Sequence, residues 1–159
     1  MLKNKHYIEV LGQPMGKQRP RACMRGGYAH IYTPKETINY ENLIKLTWQE
    51  KYPHEMMEGA LYVSIIASFG LSKSDYKKNG ELTKEGNRKV QGIVRPTKKP
   101  DVDNLAKVID GLNGIAFKDD SQVVALNVVK VYSTQPSLYI EIMEIDTEEG
   151  STLWHKKNI

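Results

Sequence analysis

The stretch Leu61-Tyr62-Val63-Ser64-Ile65-Ile66-Ala67-Ser68-Phe69 decides the fold. Leu61, Val63, Ile65, Ala67 and Phe69 recur at every second position with Tyr62, Ser64 and Ser68 between them, the period of a strand with one buried face. The other elements are placed around it. Tyr7, Ile8 and Val10 alternate with polar residues and stop at Gly12-Gln13-Pro14, a first strand and its turn. Thr33-Pro34-Lys35-Glu36 supplies a capping threonine, a proline for the first helical position and a glutamate behind it. It predicts a helix carrying Ile38, Leu43, Leu46 and Trp48 that ends before Pro53. Leu105, Val108, Ile109 and Leu112 recur at helical spacing from Asp103 onward, and Asn113-Gly114 stops that helix. Residues 123–132 and 138–145 read as two strands joined through Gln135-Pro136. The order strand-helix-strand-helix-strand-strand predicts an α+β fold, a two-layer domain with a mixed sheet and two main helices.

The chain has 159 residues, the length of one domain, and such a chain buries roughly 68–70% of its unfolded surface. Residues 1–146 are read as that single domain and 147–159 as a polar tail in which Trp154 packs. Residues 70–99, with little apolar periodicity and much Gly, Ser, Lys and Asn, read as a long, mobile basic loop. Cys23 is the single cysteine, which excludes a disulfide framework. No run approaches the roughly 18 apolar residues of a membrane span. Lys3, Lys5 and His6 stand where a signal peptide needs its apolar core. The expectation is a cytoplasmic protein without membrane association.

Charge is unevenly placed. Residues 1–40 hold seven basic side chains (Lys3, Lys5, Lys17, Arg19, Arg21, Arg25, Lys35) against Glu9 and Glu36. Residues 70–99 hold nine, Lys98 and Lys99 among them, against Asp75, Glu81 and Glu85. Basic clusters of this density suit a polyanion with regularly spaced phosphates. Lys17, Arg19 and Arg21 in a Gly/Pro turn are the strongest phosphate candidates, because a guanidinium fits a phosphate bidentately.

The chemistry is concentrated in Lys99-Pro100-Asp101-Val102-Asp103-Asn104-Leu105-Ala106-Lys107 and, further on, Lys118-Asp119-Asp120-Ser121-Gln122. Taken singly, each aspartate has an ordinary explanation: a helix cap, an i,i+4 ion pair between Asp103 and Lys107, a turn at 119–120. Only one aspartate can occupy the cap, however. If Asp120 folds back beside Asp101 and Asp103, three like charges meet, which is unfavourable without a cation. Oxygen ligands with no histidine or thiol nearby select Mg²⁺ or Mn²⁺ over zinc, and a metal so held suits phosphodiester hydrolysis. Competing sites fail. A calcium loop starting at Asp101 would have Ala106 where glycine is needed and Leu112 where glutamate is needed. His6, His30, His54 and His155 are scattered, and the glycines form no nucleotide-binding pattern.

These residues resemble the RusA family of Holliday junction resolvases. The similarity is carried by Gly12-Gln13-Pro14-Met15-Gly16-Lys17-Gln18-Arg19-Pro20-Arg21, by Tyr32-Thr33-Pro34 with Tyr40-Glu41, and most specifically by Lys99 to Leu105 through Lys107, Asp110, Leu112-Asn113-Gly114 and Asp119 to Val123. The resemblance implies a homodimeric, Mg²⁺-dependent endonuclease, Mn²⁺ substituting, that makes paired nicks in a four-way DNA junction during recombination and repair. It also implies Asp101, Asp103 and Asp120 as metal-binding catalytic carboxylates and Lys107 as the essential basic residue. Lys17, Arg19, Arg21, Lys98 and Lys99 would hold DNA, with Asp119 and Asn104 secondary. Small resolvases of this kind often resemble prophage products. The alternatives are a metal-dependent nuclease for other branched or duplex DNA, and a non-catalytic DNA-binding module.

Overall fold

The computed structural model describes residues 2–145, so the tail 147–159 and Trp154 lie outside the described residues. Its strands are β1 (Leu2–Leu11), β2 (Arg21–Arg25), β3 (Tyr28–Tyr32), β4 (Leu61–Gly70), β5 (Val123–Ser133) and β6 (Ser137–Ile145). Its helices are α1 (Lys35–Lys51), α2 (Lys84–Val90) and α3 (Val102–Ala106). The main sheet runs β1-β6-β4-β5. β4 pairs parallel with β5 and antiparallel with β6, which makes the sheet mixed as expected.

The alternation in β4 does what its pattern predicts: Leu61, Val63, Ile65 and Ala67 are fully buried. Register extends that face across the sheet. Ile8, Ile140 and Ile65 lie in one row and Val10, Leu138 and Ala67 in the next. α1 and residues 105–117 cover this face with Ile44, Trp48, Leu105, Val108, Ile109, Leu112, Ala116 and Phe117. The result is an α+β, two-layer arrangement.

Four expectations change. The α1 boundary holds, but its buried face is Thr37, Ile44 and Trp48, while Ile38, Leu43 and Leu46 are exposed. Thr33 does not cap the helix; Pro34 occupies the N-cap without a side-chain bond. The second main helix is split into the five-residue α3 and a 3-10 helix over Lys107–Leu112. There Gly111 presses on α1, where an added Cβ would lie 3.1 Å from the Glu41 carbonyl oxygen. Residues 21–32 form a hairpin, β2–β3, joined by Gly26 and Gly27, both at positive φ. Such a Gly-Gly turn matches the twist of a two-residue hairpin.

The fourth change is in residues 70–99. In place of a structureless loop they hold a 3-10 turn over Lys73–Asp75 and α2. Both are organised by a buried charge. Asp75 is 2% exposed, and its carboxylate receives Lys89 Nζ at 2.7 and 2.9 Å and the Ser72 amide at 2.8 Å. Thr83 caps α2 by accepting from the Gly86 amide, and an added Cβ on Gly86 would collide with the Asp75 carbonyl at 2.4 Å.

Candidate active site

The turn 12–20 and the entrance to α3 face each other across a cleft of about 600 Å³ lined by Pro14, Met15, Gly16, Lys17, Gln18, Arg19, Lys99, Pro100, Asp101 and Asn104. Gly16 allows the approach. A Cβ there would lie 2.8 Å from Pro100 Cβ and 3.0 Å from Asn104 Cβ. The next amide, Lys17 N, donates to the Asn104 carbonyl at 2.8 Å. Gly16→Ala is therefore expected to push the turn off α3 and cost about 1–3 kcal/mol, the usual range for overpacking. A urea midpoint unchanged from wild type would show that the turn and α3 give way freely.

Lys17, expected as a phosphate ligand, is engaged by the fold itself. Its ammonium lies 2.9 Å from Asp110 Oδ2 and 3.1 Å from Glu41 Oε1. Burial works against the charged form, but the hydrogen bonds that Lys17 donates to Asp110 and Glu41, with their attraction, outweigh it and hold the Lys17 pKa above its ordinary value. Lys17 thus fastens the turn to α1 and to the 3-10 helix 107–112. Removing it by Lys17→Met leaves two carboxylates facing each other and is expected to lower stability by about 1–2 kcal/mol. The salt dependence of DNA binding should stay the same; a shallower salt slope would assign Lys17 to phosphate after all. Beside it, the Tyr40 hydroxyl is buried without a well-formed hydrogen bond. Burial pushes its pKa up to about 12, the Met15 backbone opposing only in part.

The remaining basic residues stay available. Arg19, Lys98 and Lys99 are exposed, and Arg19 and Lys99 line the cleft. Arg21 Nη2 donates to Gln18 Oε1 at 3.2 Å, next to the cleft. The backbone ahead of α3 is fixed from below, since Lys130 Nζ of β5 donates to the Lys98 and Pro100 carbonyls at 2.5 and 2.9 Å.

The aspartates divide by role. Asp101 is the N-cap residue of α3, yet its side chain makes no capping bond. Asp103 lies 3.6 Å from Lys107, both more than half exposed, a pair worth little to stability in water. Neither carboxylate is consumed by the fold. Asp119, by contrast, is spent on its turn: it accepts from the Ser121 amide at 2.9 Å, and hydrogen bonds from the Ser121 hydroxyl and then its amide hold the Asp119 pKa below the usual carboxylate range. Its neighbour Asp120 opens the 3-10 turn before β5 with an exposed side chain that takes no part in the capping.

Among the described residues no three acidic, histidine or cysteine side chains form a group able to hold a metal ion. The expected gathering of Asp120 with Asp101 and Asp103 is therefore absent from the single chain. The anchoring of α3 explains this. Its entrance is fixed at Lys130, seven residues beyond Val123, and about 3.3 Å per strand residue separates that point from the Asp120 turn. The donors fit a hard cation in kind, being carboxylate oxygens that the fold leaves unpaired at Asp101 and nearly so at Asp103.

A family model described as Endodeoxyribonuclease RusA matches residues 12–143, from the turn that lines the cleft through α3, the Asp119-Asp120 turn and most of β6. The chain belongs to the RusA family. It is also similar to the uncharacterized protein YqaN of Bacillus subtilis (strain 168), 36% identical over 139 residues that cover 86% of this chain and 94% of that one. RusA proteins are endodeoxyribonucleases, and RusA nucleases in general depend on a divalent metal. No helix among the described residues is long and apolar enough to cross a membrane. Sequence reading missed the β2–β3 hairpin beside this RusA cleft. Its signal was Gly26-Gly27 between the alternating residues of 21–25 and 28–32.

Proposed function

We propose that this RusA-family chain is a Mg²⁺-dependent endonuclease, Mn²⁺ substituting, that resolves four-way DNA junctions by paired nicks in recombination and repair, acting as a cytoplasmic homodimer. The observation that carries this reading is the cleft in which Asp101, free of any capping bond, faces a basic rim of Arg19 and Lys99. A polyanion attracted to that rim brings its phosphates to unpaired carboxylates, an arrangement unfavourable unless a cation stands between them.

Asp101 and Asp103 would hold the metal; Asp120, apart from them in the single chain, would have to be brought to them in the DNA-bound dimer. When bound, the metal lowers the pKa of a water and neutralises charge on the phosphate. The chain's own residues do the rest. Lys107, held loosely by Asp103 in the free protein, would turn to the phosphate as charge grows on it. Arg19, Arg21, Lys98 and Lys99 bind and orient the DNA backbone; the Asn104 carbonyl holds the turn that carries Arg19, and Asp119 holds the turn that carries Asp120. Two copies related by a two-fold axis would present identical sites to the two opposed strands of a junction.

Four-way junction, flap and linear duplex substrates, cut side by side with Mg²⁺ and with EDTA, test the reading. Cleavage of the junction in preference to the others, abolished by EDTA, is expected; equal cleavage of all three would place the chain among less selective nucleases. Arg19→Ala with Arg21→Ala is expected to reduce the slope of log affinity against log salt by about 2, close to one unit per lost phosphate contact. An unchanged slope would remove these arginines from the DNA interface.

A further inference from the structure

The hairpin β2–β3 leaves the cleft rim directly after Pro20, and all ten of its strand residues are exposed. Its register sorts them by chemistry. Arg21 pairs with Tyr32, Cys23 with His30 and Arg25 with Tyr28, while Ala22 pairs with Ile31 and Met24 with Ala29. Directly opposed residues share a face and neighbours along a strand alternate. One face is therefore Arg21, Arg25, Tyr28, His30 and Tyr32 around Cys23, and the other is wholly apolar. Tyr28 is 76% exposed. Arg25, Tyr28, His30 and Tyr32 make no side-chain hydrogen bond, ion pair or ring contact with the described residues. Residues 10–35 contain no aspartate or glutamate, so nothing on this arm competes for its cations.

We propose that the arginine–tyrosine face of this hairpin is a DNA-docking surface that stacks on bases left open at a branch point. The inference rests on the reading of the chain as a junction endonuclease and adds a second contact surface to it. Each arginine stands opposite a tyrosine, and the two pairs lie about 13 Å apart along the strands. Guanidinium on phosphate beside a ring on a base is the combination that holds strands with exposed bases. In an intact duplex the base faces are covered, so the tyrosines have work only where stacking is interrupted.

Cys23, the single cysteine, lies on this face and reports its occupancy without any substitution. Alkylation by a maleimide is followed on the full chain alone, with a four-way junction carrying 2-aminopurine at the branch point, and with a linear duplex. Binding in each mixture is confirmed by gel shift. The junction is expected to slow alkylation and to quench the 2-aminopurine. Tyr28→Ala and Tyr32→Ala should each weaken junction binding about tenfold, in line with loss of one stacked base, with duplex binding little changed and Tyr28→Phe close to wild type. Junction binding with unslowed alkylation would overturn the inference and leave the proposed function standing. Equal loss on junction and duplex would overturn the stacking role. Protection that grows with protein concentration in the absence of DNA would give the face to a second copy instead. Failure of the wild type to bind any DNA would remove the proposed function and this inference together.

Discussion

Asp103→Asn is expected to lower four-way junction cleavage by about a hundredfold or more, the order of loss when one preorganised electrostatic group is taken from an active site. Junction binding should be retained or slightly strengthened. Asp103 does no structural work that the substitution would disturb. Its carboxylate caps nothing and meets only Lys107, at 3.6 Å, with 68% of its side chain exposed. A neutral amide of the same shape therefore leaves the fold intact, and melting should match wild type. Removing a negative charge beside a basic rim reduces repulsion of phosphate. Asp101→Asn should behave alike, whereas Asp119→Asn, which keeps an amide oxygen to accept the capping bonds of its turn, should retain most activity. Cleavage within a few fold of wild type for both Asp101→Asn and Asp103→Asn would return these residues to the surface and favour a non-catalytic DNA-binding module.

The largest stability effect is expected from Asp75→Asn. The buried Asp75 carboxylate accepts both close contacts of Lys89 and the amide and hydroxyl of Ser72. The ammonium also lies 5.1 Å from the centre of the Tyr132 ring. Neutralising one partner leaves the other charged and poorly solvated, which costs about 2–3 kcal/mol for a pair only partly shielded from water. The pH dependence has a definite sign. The Lys89 hydrogen bond holds the Asp75 pKa below its ordinary 3.8, so the contribution is complete above that value and is lost as pH falls through the lowered one. Hydrogen bonding by Asp75 raises Lys89 above its ordinary 10.5, so its part persists below that value and is lost as pH rises through the raised one. Urea midpoints of wild type and Asp75→Asn should differ most near neutrality and converge in acid. A difference that stays constant down to the pH at which the wild type unfolds would contradict the assignment.

The main sheet was legible because apolar alternation and burial coincide along it. Leu61, Val63, Ile65 and Ala67 turn to the core as their spacing requires, and Gln135-Pro136 does separate β5 from β6. The extent of α1 was legible from its flanking prolines, but its buried face was not. Ile44 and Trp48 meet the core, while equally apolar Ile38, Leu43 and Leu46 face outward, and periodicity cannot rank two apolar faces of one helix. Residues 70–99 were opaque for a different reason: their organising contact joins Asp75 to Lys89, and an ion pair leaves no hydrophobic period.

The site divides in the same way. Asp119 takes the turn that its position implied, while Asp101 stands at the N-cap of α3 without the capping bond that position offers. The role of Lys17 did not follow, because its partner Asp110 is 93 residues away. Nor did spacing reveal that Lys130 fixes the entrance to α3 at a point on β5 remote from the Asp120 turn. Both depend on pairings that only the folded sheet creates.

The most direct test of the central claim is cleavage of a supercoiled plasmid carrying an extruded cruciform, with Mg²⁺ and with EDTA. A first nick releases the supercoiling that maintains the cruciform, so linear product forms only if the opposed strand is cut while the same junction is still held. Linear plasmid cut at the cruciform is expected, dependent on Mg²⁺ and lost in Asp103→Asn. Nicked circles alone, or cleavage that persists in EDTA, would contradict the claim.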